Sequence, residues 1–395
     1  MPPWAIAVLP WIVMPIGLVW RARGSKDLAD YSADPAADAA LVSIIVPARN
    51  EARNIERCLM SILTTTWPRM ELFVVDDHSD DGTGEIARRM AAGDSRVTII
   101  DAPPLPDGWF GKQWACHTAV QRAKGTVFVF TDADTMHAPE LIARTITAMR
   151  TRGADMVSVM GTQELGTFWE RVVMPQVFVL LLTRFGNSER MSRSTNPYNK
   201  IANGQFFVLG RAAYETIGGH EAVRSHVAED MRIAQELCRT GHEVHIVQGL
   251  DYLSTRMYAG LGELIRGWGK NVYAAGRDTI KLGPVGKTLL RLVFPIPPLW
   301  YVAPALLALI SLAGFLPIAV LWWGAAAYGV TTLFWMAIAV QAKTPFWYGF
   351  LHPLGAFMMF VLFVRAAWRG DHVEWKGREY RSVSPVSVSP VTGSQ

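Results

Sequence analysis

Gly125-Thr126-Val127-Phe128-Val129-Phe130-Thr131-Asp132-Ala133-Asp134 is the stretch on which the fold of this chain turns. An apolar run opened by glycine and closed by acid predicts a strand buried on both faces that ends at a loop. In open α/β sheets, ligands bind outside the carboxyl ends of such strands. Two carboxylates one residue apart at that place can hold a hard divalent cation, and Mg²⁺ commonly takes one or two carboxylates plus substrate phosphates. The spacing alone is weak, because 18 aspartates in 395 residues produce an Asp-x-Asp pair about once by chance.

Working outward, apolar strand-like runs alternate with helical patterns from residue 41 to about 285. Strands are expected at 42–46, 72–75, 97–100, 127–131, 156–159 and 244–247. Helices are expected at 52–63, 83–92, 113–124, 139–150 and 230–240. This alternation predicts a βαβ-built α/β domain with a largely parallel sheet.

The flanks differ in character. The chain is 50% hydrophobic and 18% charged, with net charge +4, a balance that leans toward a membrane protein. No basic run alternates with aromatics, so nucleic acid is not an expected partner. Cys58, Cys116 and Cys238 are far apart and imply neither a disulfide framework nor a zinc site. Residues 4–20 are uncharged, with Arg21, Arg23 and Lys26 directly after them. A secretory signal places its charge first, so 1–23 is expected to be a membrane anchor with the following domain cytoplasmic. Residues 24–40 are Ala/Asp-rich and expected as an exposed linker. Residues 286–368 are expected to hold two to three spans: 294–340 is uncharged and long enough for two, and 346–364 makes a third. The tail, 369–395, is Ser/Val/Pro-rich and expected to be disordered after about residue 380. Four full crossings would put Arg365, Arg369, Lys376, Arg378 and Arg381 outside, against the positive-inside rule, so one apolar segment is expected not to cross.

Other acids stand at strand ends. The run 72–75 leads into Asp76-Asp77-His78-Ser79-Asp80-Asp81-Gly82-Thr83, where a carboxylate can accept from a uracil N3–H and ribose hydroxyls. An acidic, well-capped turn would look the same. Pro47-Ala48-Arg49-Asn50-Glu51 follows 42–46. Lys112, in Gly111-Lys112-Gln113-Trp114-Ala115, opens a helix, where a cation is unfavourable unless an anion sits beside it, such as a diphosphate. A solvated surface lysine is the plainer reading. Glu229-Asp230 opens a further helix, as ordinary capping acids also do.

Taken together, these stretches resemble the inverting family-2 glycosyltransferases of the GT-A fold over about residues 41–280. The likeness rests on Val46 to Glu51, Val75 to Ser79, Gly111 to Ala115, Asp132-Ala133-Asp134, Asn203-Gly204-Gln205, Gly218-Gly219-His220 and Glu229-Asp230, in the family's order. Gly267-Trp268-Gly269-Lys270-Asn271 and Trp375-Lys376-Gly377-Arg378 resemble the membrane-bound, lipid-glycosylating branch, which includes carotenoid-, hopanoid- and ceramide-type enzymes. The resemblance implies a mostly parallel GT-A sheet with helices on both faces and transmembrane helices at both ends. It implies that Asp76, Asp77 and Glu51 bind the nucleoside of a sugar nucleotide, a UDP-sugar. Asp134, helped by Asp132, would hold Mg²⁺ or Mn²⁺, Lys112 would contact the diphosphate, and Asp230 would be the general base. Arg266 and Trp268 would add substrate contacts. Two departures stand out: His117 occupies the place of an asparagine, and Arg266-Gly267-Trp268 stands where processive synthases carry Gln-x-x-Arg-Trp.

The resemblance further implies transfer of one sugar to a hydroxyl of a membrane lipid, by a multi-pass protein of a bacterial inner membrane. Transfer to a polyprenyl phosphate is the nearest alternative, and a noncatalytic nucleotide-sugar-binding membrane protein is another. For the acceptor, residues 172–182 are apolar but too short to span. Flanked by Arg171 and Arg184, they could lie at the membrane interface or form a buried helix. Trp109 and Phe110 could dip into headgroups. His226, beside the expected base, reads as a local hydrogen-bonding partner.

Overall fold

The computed structural model describes residues 2–34, 39–278, 295–369, 372–375 and 378–381, with isolated positions (286, 289, 292, 293) between 279 and 294. The expectation of a disordered tail falls almost wholly outside these residues. The strands of the central domain are β1 (Val42–Ala48), β2 (Met70–Asp76), β3 (Val97–Asp101), β4 (Val127–Thr131), β5 (Thr135–His137), β6 (Met156–Met160), β7 (Thr162–Gln163), β8 (Phe206–Gly210), β9 (Val244–Gln248) and β10 (Leu253–Thr255). Helices α1 (Pro3–Ile6) and α2 (Leu9–Ala22) precede them. Interleaved with the strands are α3 (Ile55–Leu63), α4 (Thr83–Ala91), α5 (Gly111–Val120), α6 (Leu141–Arg152), α7 (Phe168–Phe185), α8 (Ser188–Arg193), α9 (Arg211–Thr216), α10 (Gly219–Ala222) and α11 (Glu229–Arg239). After the domain come α12 (Leu261–Asp278), α13 (Leu299–Leu312), α14 (Ile318–Gln341), α15 (His352–Arg369) and a hairpin of β11 (His372–Trp375) and β12 (Arg378–Arg381).

Seven strands form one sheet in the order β3-β2-β1-β4-β8-β6-β9. All neighbours are parallel except that β8 runs against both β4 and β6. All six expected strands and five expected helices of the domain are present, with ends shifted by a few residues. β8 is an addition to the expected set. β1 shows why both faces are covered: its side chains alternate, so Ile44 and Val46 join Ile55, Leu59, Leu141 and Ile146 in one layer. Ile45 points the other way and joins Phe73, Phe128, Phe130, Ala115, Cys116 and Leu237. Ile44, Leu72 and Phe128 are fully buried, each stabilising the domain by about 1.5–3 kcal/mol of removed apolar surface.

The sheet also sets where the site lies. Ala48 pairs with Asp76 and Ile45 with Phe130, so β1, β2 and β4 end side by side. Because β8 is antiparallel and Thr131 pairs with Phe206, the start of β8 arrives at that same edge. The loop Asn203-Gly204-Gln205 therefore meets the end of β4. The antiparallel strand is a positional device.

Among the described residues, three helical stretches are long and apolar enough to cross a membrane: Pro3–Ala22, Ile318–Gln341 and Phe346–Arg369. α13, at 14 residues, spans about 21 Å at 1.5 Å per residue, short of a hydrocarbon core of about 30 Å. The terminal segments pack together, with Trp11 stacked on Trp300 at 4.2 Å.

One further expectation changes, and of the two forms expected for 172–182 the buried helix is the one observed. The segment expected as an exposed linker is anchored from 26 to 31: Lys26 O accepts from Gln248 N at 2.9 Å, and Leu28 and Tyr31 are buried. Residues 172–182 belong to α7, a buried helix, whose Val172, Met174 and Val177 pack with Met359, Leu362 and Phe363 of α15. Gln176 Nε2 donates to His352 O at 3.2 Å. α7 thus joins the α/β domain to the apolar helices.

Candidate active site

The β1 and β2 loops are stitched together before any ligand is considered. Asn50, held at φ +53°, donates its N–H to Ser79 Oγ and accepts from Asp80 N. Glu51 N donates to Thr83 Oγ1 at 2.8 Å, and Ala52 N to Asp81 Oδ2 at 2.9 Å. Asp80 and Asp81 therefore sit in the turn's own framework. Asp76 Oδ1 accepts from Ser79 N at 3.2 Å. Its other oxygen lies so close to Gly84 that a Cβ there would stand 2.6 Å away. Asp77 is buried, and its Oδ2 accepts from Arg378 Nη1 at 2.7 Å.

The Asp132–Asp134 loop is held from behind by a small polar cluster. Thr131 Oγ1 donates to Gln205 O at 2.8 Å and lies 3.0 Å from both Thr135 Oγ1 and His137 Nε2. Thr135 Oγ1 donates to Asp132 O at 2.8 Å. Burial lowers His137 to about 3, so the ring is neutral and serves as a hydrogen-bonding strut. Asp132 N donates to Gln205 O, fixing the acidic loop to the β8 approach.

Lys112 is the hub. Its Nζ lies 2.7 Å from Asp132 Oδ1 and 2.7 Å from Glu229 Oε1. Burial alone would lower its pKa, yet Asp132, Glu229 and Asp230 together hold it well above the usual value. The ammonium thus bridges the acid loop of β4 to the first turn of α11. Gly204 makes the approach possible, since a Cβ there would stand 2.8 Å from Asp230 Oδ2 and 3.3 Å from Lys112 Nζ. Asp230 Oδ1 accepts from Met231 N at 2.7 Å. Desolvation first, then the charge of Glu229, raises Asp230 to about 7, with Lys112 opposing. Asp134 is raised to about 7 by desolvation and then by Asp132 and Glu51.

The fit to a divalent cation can be judged from the donor atoms. Asp134 Oδ1 is buried with no hydrogen-bond partner, and such an orphaned carboxylate oxygen is costly unless a cation meets it. Among the described residues no group of three or more His, Cys, Asp or Glu could by itself hold a metal ion. An oxygen-only, two-carboxylate donor set fits Mg²⁺ or Mn²⁺ completed by phosphate and water.

Of the residues singled out in the sequence, Lys112 and Asp132 meet directly, with Asp230, Asp134 and Glu51 coupled to them by charge. Asp76 and Asp77 stand at the neighbouring strand end. Arg266 and Trp268 do not join the acids. Arg266 is exposed on α12, and Trp268 Nε1 donates to Met174 Sδ at 3.1 Å within the α7 layer. Next to them, Gly267 leaves room for the buried Tyr258 ring, whose hydroxyl pKa is raised by burial and then by Asp134. The expected headgroup contact of Trp109 and Phe110 is not seen: both are buried, and Trp109 packs on Trp114 and His117 at 5.1 and 5.0 Å. An aromatic pair before a helix is as compatible with such a cluster as with exposure. His226 is buried, and its carbonyl accepts from Gln113 Nε2. Glu229 and Gly204 are the site residues missed by sequence reasoning. Their signal lies in the pairs Glu229-Asp230 and Asn203-Gly204, where the sequence alone assigns a role to the aspartate only.

A mostly parallel sheet with carboxylates and a half-buried lysine gathered along its carboxyl edge is the arrangement of the GT-A class of fold. The structure of a mannosyltransferase from Pyrobaculum calidifontis, in complex with GDP-Man and Mn²⁺, is similar over 93% of this chain and 97% of that one, with TM-score 0.54 and 21% identity. Residues 43–218, just under half of the chain, match Glycosyl transferase family 2, so that stretch carries a domain of that family. It is 28% identical to the 4,4'-diaponeurosporenoate glycosyltransferase of Staphylococcus haemolyticus (strain JCSC1435) over 60% of this chain and 62% of that protein, under two thirds of its length. Its likeness to the protein of the same name from Staphylococcus aureus (strain USA300) is 26% over 86% of this chain and 88% of that protein.

Proposed function

We propose that the protein transfers one sugar from a UDP-sugar to a hydroxyl of a membrane lipid, with inversion, at the cytoplasmic face of a bacterial inner membrane that it crosses several times. The observation that carries this reading is Lys112 held between Asp132 on one side and Glu229-Asp230 on the other. One half-buried cation thereby links a donor side to an acceptor side. Support for a lipid acceptor comes from α7 and α12, which lie between the catalytic domain and the apolar helices, and from the carotenoid-type relatives.

In the transfer, the acceptor oxygen attacks the anomeric carbon from the face opposite the diphosphate. The bond from that carbon to the leaving oxygen breaks, and its electron pair stays on the diphosphate. Asp230 takes the hydroxyl proton; a carboxyl raised to about 7 is a stronger base than an ordinary aspartate and is still half ionised near neutrality. Lys112 supplies positive charge in a dry setting for the leaving diphosphate, and the Thr131–Thr135–His137 cluster keeps the acid loop in place. A divalent cation held by Asp134 and Asp132 would neutralise charge on the diphosphate. Asp76, Asp77 and Glu51 would bind the nucleoside.

A second acceptor class is suggested by the relatives' name, which denotes a carboxylate. A carboxylate or a polyprenyl phosphate already carries its oxyanion and needs no base. The test is to incubate membranes containing the protein with a panel of labelled sugar nucleotides and analyse the lipid extract by mass spectrometry. A lipid that gains one hexose or aminohexose mass with one donor supports the reading; no gain with any donor refutes it. Full activity in Asp230→Asn would assign the acceptor to the already anionic class.

A further inference from the structure

The hairpin β11–β12 comes after the last apolar helix, yet it reaches the nucleoside end of the sheet. Arg378 and Asp77 are 301 positions apart and meet at 2.7 Å. The Asp77 side chain is 3% exposed and that of Arg378 23%. β11 also packs along α12, so the hairpin runs from the α12 helix to the tip of β2. The other oxygen of Asp77 faces His78 Nδ1 at 3.3 Å, and Asp77 N donates to Ala48 O at 2.8 Å. A planar guanidinium fixes the orientation of a buried carboxylate better than a flexible ammonium would.

We propose that this hairpin is a strap completing the donor pocket, and that Arg378 is its positioning residue. Arg378 holds the Asp77 carboxylate aimed for a nucleoside, while Asp77 ties the strap down. The proposal rests on the reading of this edge as a nucleotide-sugar site, and adds a residue from beyond the family-2 domain to it.

The contact also constrains the route of the chain. A strap that touches Asp77 lies on the same side of the bilayer as the catalytic domain, so the chain between them crosses an even number of times. Among the described residues between them, α13 is too short to cross, which leaves α14 outward and the Phe346–Arg369 stretch back. Arg365, Arg369, Arg378 and Arg381 then share a side with Arg21, Arg23 and Lys26, as the positive-inside rule asks. On this route α13 is the apolar segment that does not cross.

The test uses the full chain in detergent with Mg²⁺, and UDP and GDP as probes in calorimetric titration. Arg378→Ala is expected to weaken binding of the preferred nucleotide at least tenfold, with Arg378→Lys recovering part of it. The donor KM should rise by a similar factor while kcat and the acceptor KM stay within about twofold. Hydrogen exchange on the wild type, which requires no variant to fold, should show amides of 372–381 slowed by the nucleotide. Unchanged affinity in Arg378→Ala, or exchange in 372–381 indifferent to nucleotide, overturns the strap while leaving the functional reading intact. A wild type that binds neither nucleotide overturns both.

Discussion

Replacing Asp230 by asparagine should make the protein more stable and far less active, and the two effects have one cause. Desolvation beside Glu229 raises the carboxyl from 3.8 to about 7. At about 1.4 kcal/mol for each tenfold change in proton affinity, the full penalty for ionising it in the fold is near 4 kcal/mol. Asp230 is only half-buried and shares its charge with Lys112, so about 2 kcal/mol is the expected gain. The sign comes from linkage. Below about pH 4 the carboxyl is protonated in folded and unfolded chains alike, and the substitution changes little. Between about pH 4 and 7 the unfolded chain ionises while the folded one keeps its proton, so the wild type loses stability relative to the variant. Above about pH 7 the difference is full. Asparagine keeps the Oδ1 that accepts from Met231 N, so no hydrogen bond is lost. Thermal melting in detergent should show the variant about 4 °C higher at pH 8 and level with the wild type near pH 4. In the same preparation kcat should fall at least 100-fold, the scale of a lost general base. The wild-type kcat/KM should rise with pH and level off above about 7. A variant that melts no higher at pH 8 refutes the burial argument, and one that keeps its rate refutes the base.

Lys112→Met removes the cation shared by Asp132 and Glu229, so the residual rate should fall at least 100-fold and its pH profile shift upward; a profile that stays put refutes the link between Lys112 and Asp230. Gly204→Ala places a methyl 2.8 Å from Asp230 Oδ2, and should lower kcat about tenfold with melting little changed, because small displacements of a catalytic group are costly. Wild-type turnover would show that the cradle is not needed. Asp134→Asn should raise the Mn²⁺ concentration for half-maximal rate at least tenfold, and chelation should stop the wild-type reaction; an unaltered metal requirement would remove Asp134 from the metal site. Reporter fusions placed after residue 381 and within the catalytic domain should report the same side of the membrane, and opposite sides would exclude the three-crossing path.

The parallel strands and their helices were legible because each is a local signal: an apolar run closed by acid, or a 3.6-residue pattern behind a cap. β8 was not. Phe206-Phe207-Val208-Leu209 is apolar enough, but its antiparallel insertion between β4 and β6 breaks the βαβ alternation by which the others are found. β5, β7 and β10 are two or three residues long and exist through pairing, not propensity. The acids of the site were legible one at a time, since strand ends mark them. Their convergence on Lys112 depends on the register of the sheet and on Gly204. The Arg378–Asp77 pair depends on how apolar helices return the chain, which no local pattern encodes. Leu28 and Tyr31 likewise look like linker residues until β9 and α6 are present to bury them.

The central claim is that sugar leaves a nucleotide and arrives on a lipid through the site around Lys112. Its most direct test is one reaction with purified protein in lipid vesicles and the donor selected from the panel, tracking nucleotide release and glycolipid together. The account predicts equal amounts of UDP and a singly glycosylated lipid, with the anomeric configuration opposite to that of the donor by NMR. UDP released without glycolipid, or a product that retains the donor's configuration, would contradict it.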